Sequence, residues 1–251
     1  MGSDGVVYES IGRTYATTRR EEPRVAARIH DALGDVRSVL NVGAGTGSYE
    51  PRDASVVAVE PSRTMLGQRG ADRSPLVING FAEALPFVDG SFDAAMAVLT
   101  IHHWSDLPRG LAELRRVARR QVVFFFEPLS THDFWALEYF PTAMALPTEQ
   151  QAPGEAELRA VLDVREVRPV PVPADCIDGF GAAFWRRPEA YTDPAVQAGM
   201  SWLAQLSPED LAAGTARLRS DLESGAWARR HGHLLELDEY DAGYRLAVAG
   251  D

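Results

Sequence analysis

VLNVGAGTGSYE, residues 39–50, is an apolar run that ends in glycines at 43, 45 and 47. Val39, Leu40 and Val42 read as a buried strand, and glycine at alternate positions lets the following loop turn tightly and lets a ligand approach the backbone. The next apolar run, VVAVEPS (56–62), ends at Glu60, seventeen positions beyond Gly43. A carboxylate at that strand tip is placed to take both hydroxyls of a ribose, so loop and acid together imply a bound nucleoside. A dinucleotide site wants its pyrophosphate at the start of a full helix. Here only eight residues separate Gly47 from Val56, Pro51 is one of them, and Ser48 replaces the third glycine of G-x-G-x-x-G. The spacing favours a nucleoside ligand without phosphates, S-adenosylmethionine, over a nicotinamide cofactor.

Apolar runs at 38–42, 56–59, 76–78, 92–98 and 122–126 read as strands covered on both faces. Helical spacing alternates with them at 24–33, 64–69 and 107–119. This order predicts an α/β fold with a doubly wound parallel sheet. Beyond Glu127 the texture changes: a helix is expected at 155–163, β-branched residues at 164–172, helices with Trp185, Trp202 and Trp227 over 175–235, and a last strand at 241–248. Four parts are expected: an N-terminal lid segment (1–23), a cofactor-binding core (24–173), a helical cap (174–238) and a closing strand (239–251).

All 25 basic residues among the 251 are arginine, which excludes lysine chemistry such as a pyridoxal Schiff base or a P-loop. A net charge of −11 disfavours nucleic acid. No apolar run approaches the ~20 residues that span a bilayer, so no membrane role is expected. MGSDGVVYES lacks a secretory pattern and Cys176 is the lone cysteine, so a cytoplasmic location is expected, with a small-molecule partner and a monomer or homodimer.

NVGAGTG (41–47), VVAVEPSRTML (56–66), NGFAEALPFVDGSFDAAMAVLTIHHW (79–104) and LAELRRVAR (111–119) resemble the class I S-adenosylmethionine-dependent methyltransferases of the UbiE-like, methyltransferase-11 type. The likeness covers roughly residues 5–127. It implies a Rossmann-like seven-stranded sheet of order 3-2-1-4-5-7-6 with the last strand antiparallel, and transfer of a methyl group by in-line displacement at the sulfonium. It implies Asn41, Gly43, Ala44 and Gly45 along the methionyl part, Glu60 on the ribose, and Pro61, Ser62 and Met65 beside the adenine. Phe81, Ala82 and Glu83 fall at the adenine edge, Leu99 under the cofactor, and Tyr8, Tyr15 and Arg19 in a lid. Asn41 and Phe81 stand where relatives often carry an acid, which leaves open a non-methylating relative, a cyclase or a binding protein.

A general base is needed only if the acceptor must lose a proton, and histidine is the usual choice near neutral pH. His102 and His103 are the candidates, with helix entry or core packing as the alternative. His132, Trp135, Tyr139, Phe184 and Trp185 are candidates for an apolar or aromatic acceptor site, with ordinary core as the alternative. No metal site is expected, because H-x-H at 231–233 has no further ligand set and reads as a solvated helix end.

Overall fold

The computed structural model describes residues 19–127 and 134–251. Seven strands form one sheet: β1 (Ser38–Val42), β2 (Ser55–Val59), β3 (Val77–Ile78), β4 (Phe92–Val98), β5 (Ala118–Phe126), β6 (Val164–Pro169) and β7 (Tyr244–Gly250). Their order is β3-β2-β1-β4-β5-β7-β6; β1 to β5 pair in parallel, and β7 runs antiparallel to both β5 and β6. The doubly wound sheet with its reversed final strand is the expected one.

Side chains alternate across the pleat, and β5 shows why both phases are apolar. Val122 and Phe124 pack on one face with Val25, Ile29 and Leu33 of α1 (Pro23–Leu33), whereas Val123 and Phe125 pack on the other with Leu111, Leu114 and Val117 of α3 (Leu107–Val117). Both helices carry a proline in the first turn behind an acidic cap, Pro23 first in α1 and Pro108 second in α3: Glu22 accepts from the Arg24 N–H and Asp106 from the Arg109 N–H. The short α2 (Arg63–Leu66) is capped by Ser62.

Several boundaries differ from expectation, and the helix expected over 155–163 covers only Glu155–Arg159. The third helix stops at Val117, and β5 begins at Ala118 rather than at residue 122, because Arg120 and Gln121 pair across the sheet with Gly250 and Ala249. That ladder overrides the helical preference of the arginines. For the same reason β7 starts at Tyr244, after a turn in which the Asp241 carboxylate accepts from the Gly243 N–H.

Between β6 and β7 the chain makes short helices, α4 (Pro208–Glu223), α5 (Ala226–His231) and a ribbon in which Val172–Pro173 pairs with Glu239–Tyr240. Their aromatic side chains extend the core of the α1 face without a break. His231 is buried there, its ring beside Trp135 and Trp227, rather than at a solvated helix end. No helix among the described residues is long and apolar enough to cross a membrane.

Candidate functional site

The parallel strands end on one edge of the sheet, and strand order reverses between β1 and β4, the position at which open α/β sheets leave a crevice for ligands. The glycine loop leaves β1 there. Gly43 and Ala44 donate to the Val59 carbonyl, which ties the loop to the tip of β2, and residues 43–54 contain no helix. Gly43 has φ +68°, and a Cβ on it would lie 2.0 Å from Thr100 Oγ1 beyond β4, so only glycine fits.

Glu60 follows β2. Its two oxygens accept from the Gly45 and Ser62 N–H groups, each at 2.8 Å, and each oxygen keeps a lone pair for a further donor. Burial pushes its carboxyl above the ordinary value, and the two backbone donors oppose that shift. Asn41 in β1 donates through Nδ2 to Glu50 Oε1 at 3.0 Å, while Glu50 is paired with Arg69 at 2.8 Å. This fixes the amide so that Asn41 Oδ1 is a buried acceptor without a partner, in a residue on the cleft wall. An unmet buried acceptor costs about 1–3 kcal/mol, which a ligand ammonium offsets.

The cleft has a volume of about 420 Å³, within the usual size of a small-molecule site. Its walls bring together Arg19, Asn41, Gly43, Ala44, Gly45, Glu60, Pro61, Ser62, Met65, Phe81, Ala82, Glu83, Leu99 and His103. Phe81 is exposed on the rim. Glu83 Oε1 accepts from the Ser105 N–H, the Ser105 hydroxyl and the Asp106 N–H, so its carboxylate fastens the loop before α3. Tyr8, Tyr15 and His132 lie outside the described residues. Tyr49, Thr100 and Trp104 also line the cleft and escaped the sequence reading. Adjacency to Leu99 and His103 was the available signal for Thr100 and Trp104, whereas Tyr49, fully buried at φ +66°, had none.

A second cavity of about 90 Å³ adjoins the first, sharing Arg19 and Leu99 with it. His102, Phe126, Phe134, Leu137, Thr148, Glu149, Phe180, Met200, Trp202 and Tyr244 are on its wall. The His102 ring lies 5.1 Å from Phe126 and 3.8 Å from His103, and burial, with a smaller effect of His103, pushes its pKa well below the ordinary value. Trp135, Tyr139, Phe184 and Trp185, the candidates for an acceptor site, are not on this wall. The Trp135 indole donates to the Trp185 carbonyl, the Trp185 indole to the Val172 carbonyl, and the Tyr139 hydroxyl to Asp221, while Phe184 packs under the Arg187 guanidinium. Buried indole and phenol groups need such partners, and none of these partners is on the cavity wall. Their sequence neighbours Phe134, Leu137 and Phe180, with no such partner to satisfy, form the wall instead.

The geometry fits S-adenosylmethionine: a ribose acceptor at Glu60, an unmet acceptor at Asn41, and no helix N-terminus after the loop for a pyrophosphate. A methyltransferase-domain family model matches residues 40–126. Among curated proteins, a malonyl-[acyl-carrier protein] O-methyltransferase of Erwinia pyrifoliae is 37% identical over 102 residues, covering 38% of this chain and 39% of that protein. The ubiquinone/menaquinone biosynthesis C-methyltransferase UbiE of Geotalea uraniireducens is 31% identical over 126 residues, covering 43% and 54%. The chain thus spans about half the length, or less, of the curated relatives it matches. A solved structure, a putative methyltransferase from an antibiotic biosynthesis pathway of Anabaena variabilis, is 32% identical with a TM-score of 0.85, over 93% of this chain and 99% of that one. Fold, cleft and a relative matched over nearly its full length agree, and the chain belongs to the class I S-adenosylmethionine-dependent methyltransferases.

Proposed function

We propose that the chain transfers the methyl group of S-adenosylmethionine to a small-molecule acceptor held in the second cavity, under a cap formed by residues 174–238. The observation that carries this reading is the junction of the two cavities: Arg19 and Leu99 belong to the walls of both. Leu99, at the tip of β4, has φ +50°, a left-handed conformation that a leucine adopts only when its surroundings impose it. Its N–H donates to the Phe124 carbonyl at 2.7 Å, which holds the strained turn in place.

When bound, S-adenosylmethionine supplies a methyl group already activated by its sulfonium. The protein's part is therefore to bind, align and exclude water. Asn41 Oδ1 accepts from the methionyl ammonium, Glu60 takes the ribose hydroxyls, and Pro61, Ser62, Met65, Phe81 and Ala82 flank the adenine. The largely apolar wall of the second cavity orients the acceptor and keeps it dry. His102, held neutral by burial, offers a hydrogen bond inside that cavity, while His103 stands on the cofactor side. A cytoplasmic location and a monomeric or dimeric state belong to the same reading, supported by the single buried thiol of Cys176 and by the acidic balance of the chain.

Incubation of the full chain with methyl-labelled S-adenosylmethionine and a panel of small aromatic amines, alcohols and acids tests the reading. Label recovered in a small molecule, with S-adenosylhomocysteine formed in equal amount, is the expected result. Cofactor binding with no labelled product across the panel speaks against it.

A further inference from the structure

We propose that Glu149 and Thr148 form the polar end of the second cavity and select an acceptor with an apolar body and a proton-bearing nitrogen or oxygen head, Glu149 receiving the proton that leaves as the methyl group arrives. The proposal rests on the reading of that cavity as the acceptor chamber.

The wall is mostly hydrocarbon and aromatic ring, so each polar atom on it is conspicuous. Thr148 Oγ1 is buried without a hydrogen-bond partner. Glu149, half-buried, has no side-chain partner among the described residues, whereas each fully buried acid has its own: Glu22 holds Arg24 and the Ile177 N–H, Glu50 holds Arg69, Glu60 two backbone N–H groups, and Asp178 holds Arg19 and Tyr49. Two adjacent unmet groups in an apolar chamber mark the place where a ligand's polar head belongs. The short helix Pro147–Gln150 packs against the turn Ile101–His103, which sets Glu149 on the same chamber as His102.

Among the described residues, the titratable and charged groups that share the chamber with Glu149 are Arg19, His102 and Tyr244. Arg19 is engaged by Asp178, and the Tyr244 hydroxyl accepts from the Ala182 N–H. Burial pushes the Glu149 carboxyl up to about 7, where a proton acceptor is best matched to neutral solution, whereas burial pushes His102 the other way. In the step itself the lone pair of the acceptor's nitrogen or oxygen forms the bond to the methyl carbon as the carbon–sulfur bond breaks, its electron pair passing to sulfur. The proton shed by the acceptor goes to the Glu149 carboxylate and then to solvent. A carboxylate head is refused, because it brings a like charge to Glu149.

The test uses the full chain saturated with S-adenosylhomocysteine and titrated calorimetrically at pH 8 with 2-phenylethylamine, 2-phenylethanol and 3-phenylpropionate. The amine and the alcohol are expected to bind about tenfold or more tightly than the acid, as for a hydrogen bond to a charged group. Preference for the amine should grow as pH rises through about 7, as Glu149 ionises, and both the preference and its pH dependence should vanish in Glu149→Gln. Thr148→Val should weaken the amine and the alcohol alike. Equal binding of the acid to the parent chain, discrimination that survives in Glu149→Gln, or uptake of none of the three overturns the proposal. Leu137→Trp fills the chamber from its apolar wall and keeps S-adenosylhomocysteine binding as a check on folding. Loss of all probe binding in that variant supports the chamber, whereas unchanged binding there places the probes elsewhere and sinks the methyl-acceptor reading independently of Glu149.

Discussion

Glu60 and Glu149 are both carboxyls drawn out of water, yet their surroundings set them to different work. Glu60 is held by two backbone N–H groups that keep its oxygens aimed into the cleft. Glu60→Ala should therefore weaken S-adenosylmethionine binding by about 1.5–3 kcal/mol, read as a change in Kd. Glu149 has no such support, and its folded pKa of about 7 lies above the 4.5 of a free glutamate. A raised carboxyl pKa favours the folded state fully only below about 4.5, and that contribution is lost as pH rises through 7. Glu149→Gln should then stabilise the ligand-free protein by up to about 3 kcal/mol at pH 8, with the gain shrinking to nothing near pH 4. Urea unfolding of both proteins across that range checks it. A pH-independent difference would mean that the carboxyl is solvated. Such a gain in stability, combined with loss of acceptor selectivity, is the signature of a group kept for function.

At the scale of elements, the glycine loop works because three strand tips meet it. Gly43 touches Thr100 beyond β4, Gly45 donates to Glu60 beyond β2, and Asn41 orients from β1. Gly43→Ala places a methyl in the space of Thr100 and demands a left-handed alanine. It should cost roughly 1–3 kcal/mol of stability and abolish cofactor binding. Thermal unfolding with and without S-adenosylhomocysteine measures both effects, and a normal ligand-induced rise in Tm would contradict the placement. The strand, loop and acid of this half were legible in the sequence because each is a local pattern. The ends of α3 and β5 were not, since antiparallel pairing with β7 decides them. Nor was the phase of the aromatic segments: Trp135 and Phe134 are adjacent, but only the tertiary contacts of the indole turn one away from the cavity and leave the other on its wall. Glu149 lies in the polar run PTEQQ, which carries no signal of burial by itself.

At the scale of the molecule, residues far apart in the chain are joined by a buried polar cluster. Asp178, fully buried, pairs with Arg19 at 2.6 Å and accepts from the Tyr49 hydroxyl at 2.5 Å. Three distant stretches of chain thus meet at one carboxylate, beside both cavities. Asp178→Ala leaves the Arg19 charge without that partner and should cost about 3–5 kcal/mol, measured by urea unfolding. A loss below about 1 kcal/mol would show the cluster to be solvated, like a surface pair. The molecule-wide claim, that this sheet edge is a binding site for S-adenosylmethionine, is tested most directly by calorimetric titration of the full chain with S-adenosylhomocysteine, repeated with NADH and with Glu60→Ala. Saturable one-to-one binding of S-adenosylhomocysteine, none of NADH, and a marked loss in Glu60→Ala are the predicted results. Binding of NADH alone, or an affinity for S-adenosylhomocysteine that Glu60→Ala leaves unchanged, would contradict it.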